Sequence, residues 1–300
     1  MDEKNETITD PAGFISIKKI PTSEELLEMY KNSSHQQEKT RPKNYQDSYN
    51  KKELNHINLI NELYLNSIYK ARPKFKENFG TLLEVGAGEG FMLNKAKLHG
   101  WEIKGVDFSN FAIKKFNSDL EKYMDFGDAY NILSNYNKLG KKFDVIVLLN
   151  ILEHVIDPRK LLTQVKELLN IGGVILITVP NDFSELQLKA LELEYLKEKF
   201  WVSPPEHLHY FNTKNISLFM QELNFNVIDM FSSFPIDFFL FHPGSNYIKN
   251  EDNGKAAHYA RVELDLIMAN DNMNNFHKLC QAYSLCGVGR DLTIIIEVST

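Results

Sequence analysis

Apolar and polar positions change rhythm twice along the chain. Residues 1–12 hold Asp2, Glu3, Glu6 and Asp10 among few apolar side chains, so the first 20 residues read as a mobile tail. TSEELLEM (22–29) has the look of a capped helix start, a hydroxyl residue followed by glutamates and then Leu26 and Leu27. A polar stretch follows. KKELNHINLINELYLNSIYKAR then brings Leu54, Ile57, Ile60, Leu63 and Ile68 near one helical face, until Pro73 ends the helix. From residue 81 short β-rich runs alternate with helical ones: TLLEV (81–85), WEIKGVD (101–107), a short strand near Tyr123–Asp125, KFDVIVLLN (142–150) and GGVILITVP (172–180). Runs as continuously apolar as FDVIVLL and VILITV suit parallel strands buried on both faces. Asp157 and Pro158 supply an N-cap and a first-turn proline to the helix between the last two, and Gly172-Gly173 a stop. Strands alternating with helices predict a doubly wound α/β sheet with right-handed crossovers. Further strands are expected at 224–234 and 291–298, separated by an insertion over 235–290 that reads as a substrate-facing cap.

The composition fits that architecture and removes several rivals. The 300 residues are 43% hydrophobic and 25% charged, enough to bury a core without disulfides or metal. With 34 basic against 40 acidic residues the formal net charge is −6, which disfavours nucleic acid as a partner. No apolar stretch approaches the roughly 18–20 residues of a membrane span, and the acidic N-terminus lacks the features of a signal peptide. The two cysteines, Cys280 and Cys286, form no CxxC pattern, so a reducing, cytoplasmic setting is the expectation.

Candidate chemistry concentrates in LLEVGAGEGFM. A buried strand delivers Glu84, and Gly86, Gly88 and Gly90 then turn the chain into a helix whose N-terminal N–H groups are unpaired. Dinucleotide sites use GxGxxG, whose third glycine would fall at Phe91, and a carboxylate at position 84 would repel a pyrophosphate. The pattern here is ExGxGxG, suited to a ligand bearing an ammonium group. Asp107 ends the next strand, where a carboxylate accepts ribose hydroxyls, and Asp128 in FGDAY follows the third, placed to accept from an adenine amino group.

Residues 81–180 therefore resemble the class I S-adenosylmethionine-dependent methyltransferases. LLEVGAGEG is similar to their first motif, GVDFS to the second-strand acidic motif and GDA to the adenine motif. FDVIVLLNILEHVIDP and GGVILITVPN resemble the fourth- and fifth-strand motifs. The resemblance implies a seven-stranded, mostly parallel, Rossmann-like sheet whose sixth and seventh strands, 224–234 and 291–298, are antiparallel. It implies S-adenosylmethionine as cofactor, the glycine loop on its methionine portion, Asp107 on the ribose, Asp128 and Ala129 on the adenine and Phe108 against the adenine face. Leu149 or Asn150 would offer backbone. The chain then divides into a tail (1–20), an N-terminal helical lid segment (21–78), a cofactor-binding core (79–234), an inserted cap (235–290) and a last core strand (291–300).

Three further groups are candidates for acceptor chemistry. ILEHVIDP is most similar to O-methyltransferases of the ubiquinone-pathway type, whose ExxEH pattern can hold a divalent metal. Here Asn150, an uncharged ligand, takes the first position ahead of Glu153 and His154. His154 also suits a general base, its ordinary pKa lying near neutrality. Alternatively Glu153 pairs with a helix and His154 orients a loop. His207 and His209 in PPEHLHYFN would point both imidazoles to one side of an extended segment, one of them steering the acceptor proton. Tyr45 and Tyr49, spaced i and i+4, would share a helix face folding over the cofactor, with Tyr210 beside the acceptor.

The expected function is methyl transfer from S-adenosylmethionine to a small-molecule acceptor, O-methylation of a hydroxylated metabolite or sugar being favoured because histidine bases are at hand. N-methylation of a small amine and a nicotinamide-dependent oxidoreductase are the alternatives. No membrane partner is expected, and a homodimer is left open.

Overall fold

The apolar runs form the middle of a seven-stranded sheet. The computed structural model describes residues 6–22, 24–26, 49–270 and 272–299. In chain order the elements begin with β1 (Thr7–Thr9), β2 (Ile15–Ile17), α1 (Lys51–Ala71), β3 (Thr81–Val85), α2 (Phe91–Leu98), β4 (Glu102–Asp107) and α3 (Phe111–Phe116). Next come β5 (Met124–Phe126), α4 (Ala129–Lys138), β6 (Phe143–Leu149), α5 (Pro158–Leu168), β7 (Leu169–Pro180), α6 (Glu185–Glu192) and β8 (His209–Tyr210). The rest are α7 (Asn215–Glu222), β9 (Phe225–Ser232), a 3₁₀ turn (Ile236–Phe241), α8 (Asp252–Ala269), α9 (Met273–Leu285) and β10 (Asp291–Val298).

The large sheet has the order β5-β4-β3-β6-β7-β10-β9. Its first five strands are parallel, and β10 is antiparallel to both of its neighbours. Two reversed strands were expected after β7. Only β10 is reversed, because β9, antiparallel to β10, points the same way as the parallel five. The continuous apolar runs follow from burial on both faces. Leu83, Val85, Ile146, Leu148, Ile175 and Ile177 face one core, and their alternates Leu82, Val145, Val147, Val174 and Leu176 face the other. The first core is covered by α4, α5 and α7 through Leu133, Leu161, Val165, Ile216 and Phe219. The second lies under α1 and α2 through Leu65, Ile68, Met92, Leu93 and Ala96.

Side chains cap the helix starts, Asp157 as predicted. Asn50 and Glu53 form a reciprocal capping box on α1, and the Asp157 carboxylate accepts from the Lys160 N–H, 2.9 Å away, at the start of α5. Gly172 and Gly173 do not stop that helix, which ends at Leu168; they lie inside β7, with Gly172 at φ +73.

Three segments differ from their expected roles. Residues 6–20 are no tail: β1 and β2 pair as a hairpin, β2 pairs with β8 in a separate three-stranded sheet, and Phe14 is 1% exposed against Phe211 and Phe219. Arg159 clamps the hairpin through bonds of 2.9 and 2.6 Å to Asp10. Helix α1 is a layer of the sandwich rather than a lid. The 235–290 insertion splits: Phe276 and Cys280 of α9 pack with Phe231 of β9 and Leu63 of α1, while Leu240 of the 3₁₀ turn packs with Ala190, Trp201 and Tyr210. Among the described residues no helix is long and apolar enough to cross a membrane.

Candidate active site

The carboxyl ends of β3, β4 and β6 bring the first group of residues together. Gly86, Gly88 and Gly90 all take positive φ, of +76, +51 and +77, a region costly for residues with a Cβ. A Cβ on Gly86 would meet Ile151 Cδ1 at 2.0 Å, so the glycine loop lies directly against the turn after β6. Around Gly88 nothing lies within 4 Å of a Cβ position, leaving open space over the loop. The Asp107 carboxylate ties the loop to β4, accepting from the Gly88 N–H at 2.8 Å and the Ser109 N–H at 3.0 Å. Each oxygen keeps a further lone pair for a ligand hydroxyl. Burial pushes Asp107 above its ordinary value against the pull of those backbone N–H groups.

Glu84 is 2% exposed, and its Oε2 is buried without a hydrogen-bond partner. Burial pushes its carboxyl well above the usual range, the Leu93 N–H opposes this, and nearby Asp107 adds to it. Such a group calls for a proton or a cationic partner. Asp128 caps α4, accepting from the Asn131 N–H at 2.9 Å, and remains exposed beside Ala129. Phe108, just past β4, is 38% exposed. Leu149 ends β6; Asn150 stands at φ +52 with its N–H spent on Thr178 O at 2.9 Å, so that N–H is not on offer to a cofactor.

Tyr49 reaches this loop. Its hydroxyl donates to Glu89 Oε1 at 2.9 Å, and its ring packs on Phe91 and Phe116. Tyr45 lies outside the described residues.

The turn after β6, whose Ile151 meets the glycine loop at Gly86, leads into a second group. Glu153, His154 and His207 offer donor atoms that all lie within 4.8 Å of one another, so the third donor comes from His207 and not from Asn150. Glu153 is 1% exposed, both of its oxygens lack hydrogen-bond partners, and burial pushes its carboxyl well above the usual range. His154 Nδ1 lies 2.5 Å from Glu206 O, so this nitrogen carries the proton, and Nε2 faces Glu153 Oε1 at 3.7 Å. The two imidazoles meet edge to face with centroids 4.9 Å apart. Backbone bonds from Leu208 and His209 N–H to Glu153 O, 2.8 and 3.2 Å, hold the two segments together.

Two expectations are corrected here. His209 does not share a site with His207: it is 5% exposed, its Nε2 donates to Val155 O at 2.9 Å, and its Nδ1 accepts from Ser16 Oγ at 2.8 Å. Burial also lowers its pKa, and with both nitrogens engaged it is a structural histidine, not a base. Tyr210 is 1% exposed and donates to His207 O at 2.9 Å, which makes it a support for the His207 segment rather than a substrate wall.

Sequence reasoning missed Asp182 and Arg290. Asp182 follows β7, is 1% exposed, and accepts from Arg290 Nη1 at 2.8 Å. Burial alone would raise its pKa, but the Arg290 guanidinium holds it below the ordinary carboxylate value. An acidic residue just past a parallel strand was the available signal.

Open space over a glycine loop, with carboxylates at successive strand ends, defines a class I methyltransferase site. A family model for a methyltransferase domain matches residues 59–230, more than half of the chain, and the chain belongs to that family. The chain is 29% identical over 132 residues to a ubiquinone biosynthesis O-methyltransferase of Caulobacter vibrioides, covering 42% of this chain and 51% of that protein. It is 28% identical over 187 residues to the Pelagibacter ubique protein of the same name, covering 57% and 74%. The chain spans about half the length of the first of these relatives. Among solved structures, it resembles a SAM-dependent methyltransferase from Archaeoglobus fulgidus with TM-score 0.48 and 21% identity, over 79% of this chain and 93% of that one.

Proposed function

We propose that the protein moves the methyl group of S-adenosylmethionine to a hydroxyl oxygen of a small-molecule acceptor. The observation that supports this reading is the gathering of Glu153, His154 and His207, just after the turn whose Ile151 meets Gly86 of a glycine loop with open space at Gly88. The residues fit the cofactor. Glu84, a buried carboxylate with an unpartnered oxygen, suits its ammonium; Asp107 has lone pairs for the ribose, and Asp128 with Ala129, at the start of α4, would read the adenine. When bound, S-adenosylmethionine supplies a methyl group on an electrophilic sulfonium.

The protein's own part is positioning and proton handling. Alignment of acceptor oxygen and methyl carbon can supply about 7–11 kcal/mol of the barrier in favourable systems. With the cofactor bound, one imidazole of the pair would take the acceptor's hydroxyl proton as its oxygen takes the methyl group. Glu153, His154 and His207 are also the residues that would hold a divalent cation, and the unpartnered Glu153 oxygens fit one. Such a cation would lower the pKa of an acceptor hydroxyl. The O-methyltransferase relatives support oxygen over nitrogen as the methylated atom.

The test offers methyl-labelled donor to the protein with a panel of hydroxylated small molecules and a matched panel of amines. Label should appear in hydroxylated acceptors and fall sharply in His154→Ala and His207→Ala. Transfer confined to amines would refute the reading.

A further inference from the structure

Beyond the residues that would hold cofactor and acceptor lies a chain of buried charges. Asp182 sits at the end of β7 with its backbone fixed: its N–H donates to Phe211 O at 2.8 Å, and the Asn181 N–H donates to Arg290 O at 2.8 Å. Its Oδ1 is taken by Arg290, while its Oδ2 is buried without a partner and lies 3.8 Å from His207 Nδ1. That nitrogen is buried and unpartnered as well. Two complementary groups thus face each other across a gap slightly longer than a hydrogen bond.

We propose that Asp182, clamped by Arg290, is a positioning residue that holds His207 as the Nδ1–H tautomer with its Nε2 lone pair turned to the acceptor. An ionised carboxylate only accepts, so the nitrogen facing it must carry the proton, and which nitrogen does so in a neutral imidazole is set by such a partner. In water a neutral histidine prefers the opposite tautomer, so the effect is readable. The proposal rests on the reading of His207 as part of the acceptor site. It also gives the 235–290 insertion a link to the chemistry. Buried Asp237 of the 3₁₀ turn, which accepts from the Tyr247 hydroxyl, interacts electrostatically with Arg290. A purely structural ion cluster would anchor that insertion without touching the His207 tautomer.

The experiment uses the full chain labelled with ¹⁵N in its histidine rings and long-range ¹H–¹⁵N spectra at a pH of about 8, above the ordinary imidazole range. His207 is assigned by the signal lost in His207→Gln. Wild type should show His207 as Nδ1–H. Asp182→Asn should shift the tautomer ratio about tenfold toward Nε2–H, the scale of a hydrogen bond to a charged group. Arg290→Met should shift it the same way, and Arg290→Lys, which keeps the charge, should restore the wild-type ratio. Binding of S-adenosylhomocysteine reports that each variant is folded. Wild-type His207 as Nε2–H overturns the proposal even if no variant folds, and so does a ratio unmoved in Asp182→Asn or Arg290→Met. Failure of methyl transfer itself shows separately, as wild-type protein that binds S-adenosylhomocysteine yet labels no hydroxylated acceptor.

Discussion

Two glycines two residues apart separate what the loop needs in order to fold from what it needs in order to bind. Gly86 and Gly88 both sit at positive φ, so alanine at either costs about 1–2 kcal/mol of backbone strain. At Gly86 the new methyl group would stand 2.0 Å from Ile151 Cδ1 and 2.5 Å from its Cγ1, which forces the isoleucine to move. Overpacking of this kind adds about 1–3 kcal/mol. At Gly88 the methyl enters space with no atom within 4 Å, so strain is the whole cost. Gly86→Ala should therefore lose about 2–5 kcal/mol in urea unfolding and Gly88→Ala about 1–2, both measured without ligand, because ligand would add its own stabilisation. The order reverses for binding. Gly88→Ala fills part of the open space over the loop, and its affinity for S-adenosylhomocysteine in calorimetric titration should fall at least about tenfold, or ~1.4 kcal/mol. Wild-type affinity in Gly88→Ala would show that the cofactor does not lie over this loop. Equal destabilisation in the two variants would show that Ile151 yields without cost.

Other measurements bear on other parts of the molecule. Glu84 has a folded-state pKa well above its ordinary 4.5, so the stability it permits is full below pH 4.5 and is lost as pH rises toward the folded value. Without ligand, the advantage of Glu84→Gln over wild type in urea unfolding should thus grow by up to about 1.4 kcal/mol per pH unit above 4.5; a pH-independent difference would mean the carboxyl is not desolvated. Phe14→Ala should cost about 3–5 kcal/mol, as expected for a fully buried ring, and a change near zero would restore the view of residues 6–20 as a tail. His209→Ala should lower stability through the loss of its bonds to Ser16 and Val155, about 1 kcal/mol each, while leaving the affinity for S-adenosylhomocysteine unchanged. A weakened affinity would place this residue nearer the cofactor than its partners indicate.

The residues that read most clearly were those whose role is local. ExGxGxG, the strand-end acids and the unbroken apolar runs each declare themselves within a few positions, because loop geometry and two-faced burial act over that range. The outlying layers did not. The 6–20 hairpin pairs with a strand of two residues, His209 and Tyr210, too short to show a period. Gly172-Gly173 looked like a helix stop because glycine marks a break without saying which element it belongs to. His207 and His209 looked equivalent, yet one faces Asp182 and the other Ser16, a difference set by the partner strand rather than by spacing. Asp182 and Arg290 lie far apart in sequence and meet only because β10 lies beside β7, a pairing that periodicity cannot announce.

That pairing also bears on synthesis. Strand β10 is wedged between β7 and β9, both made earlier, so each keeps a bare edge until residues 291–298 have left the ribosome. Arg290, at the mouth of the same strand, arrives with them. A nascent chain halted before this point would carry its glycine loop and both imidazoles but two open edges suited to pairing with other chains, the condition under which unfinished β-proteins aggregate. Completion of the charged cluster and closure of the sheet are thus one event, timed by the emergence of β10.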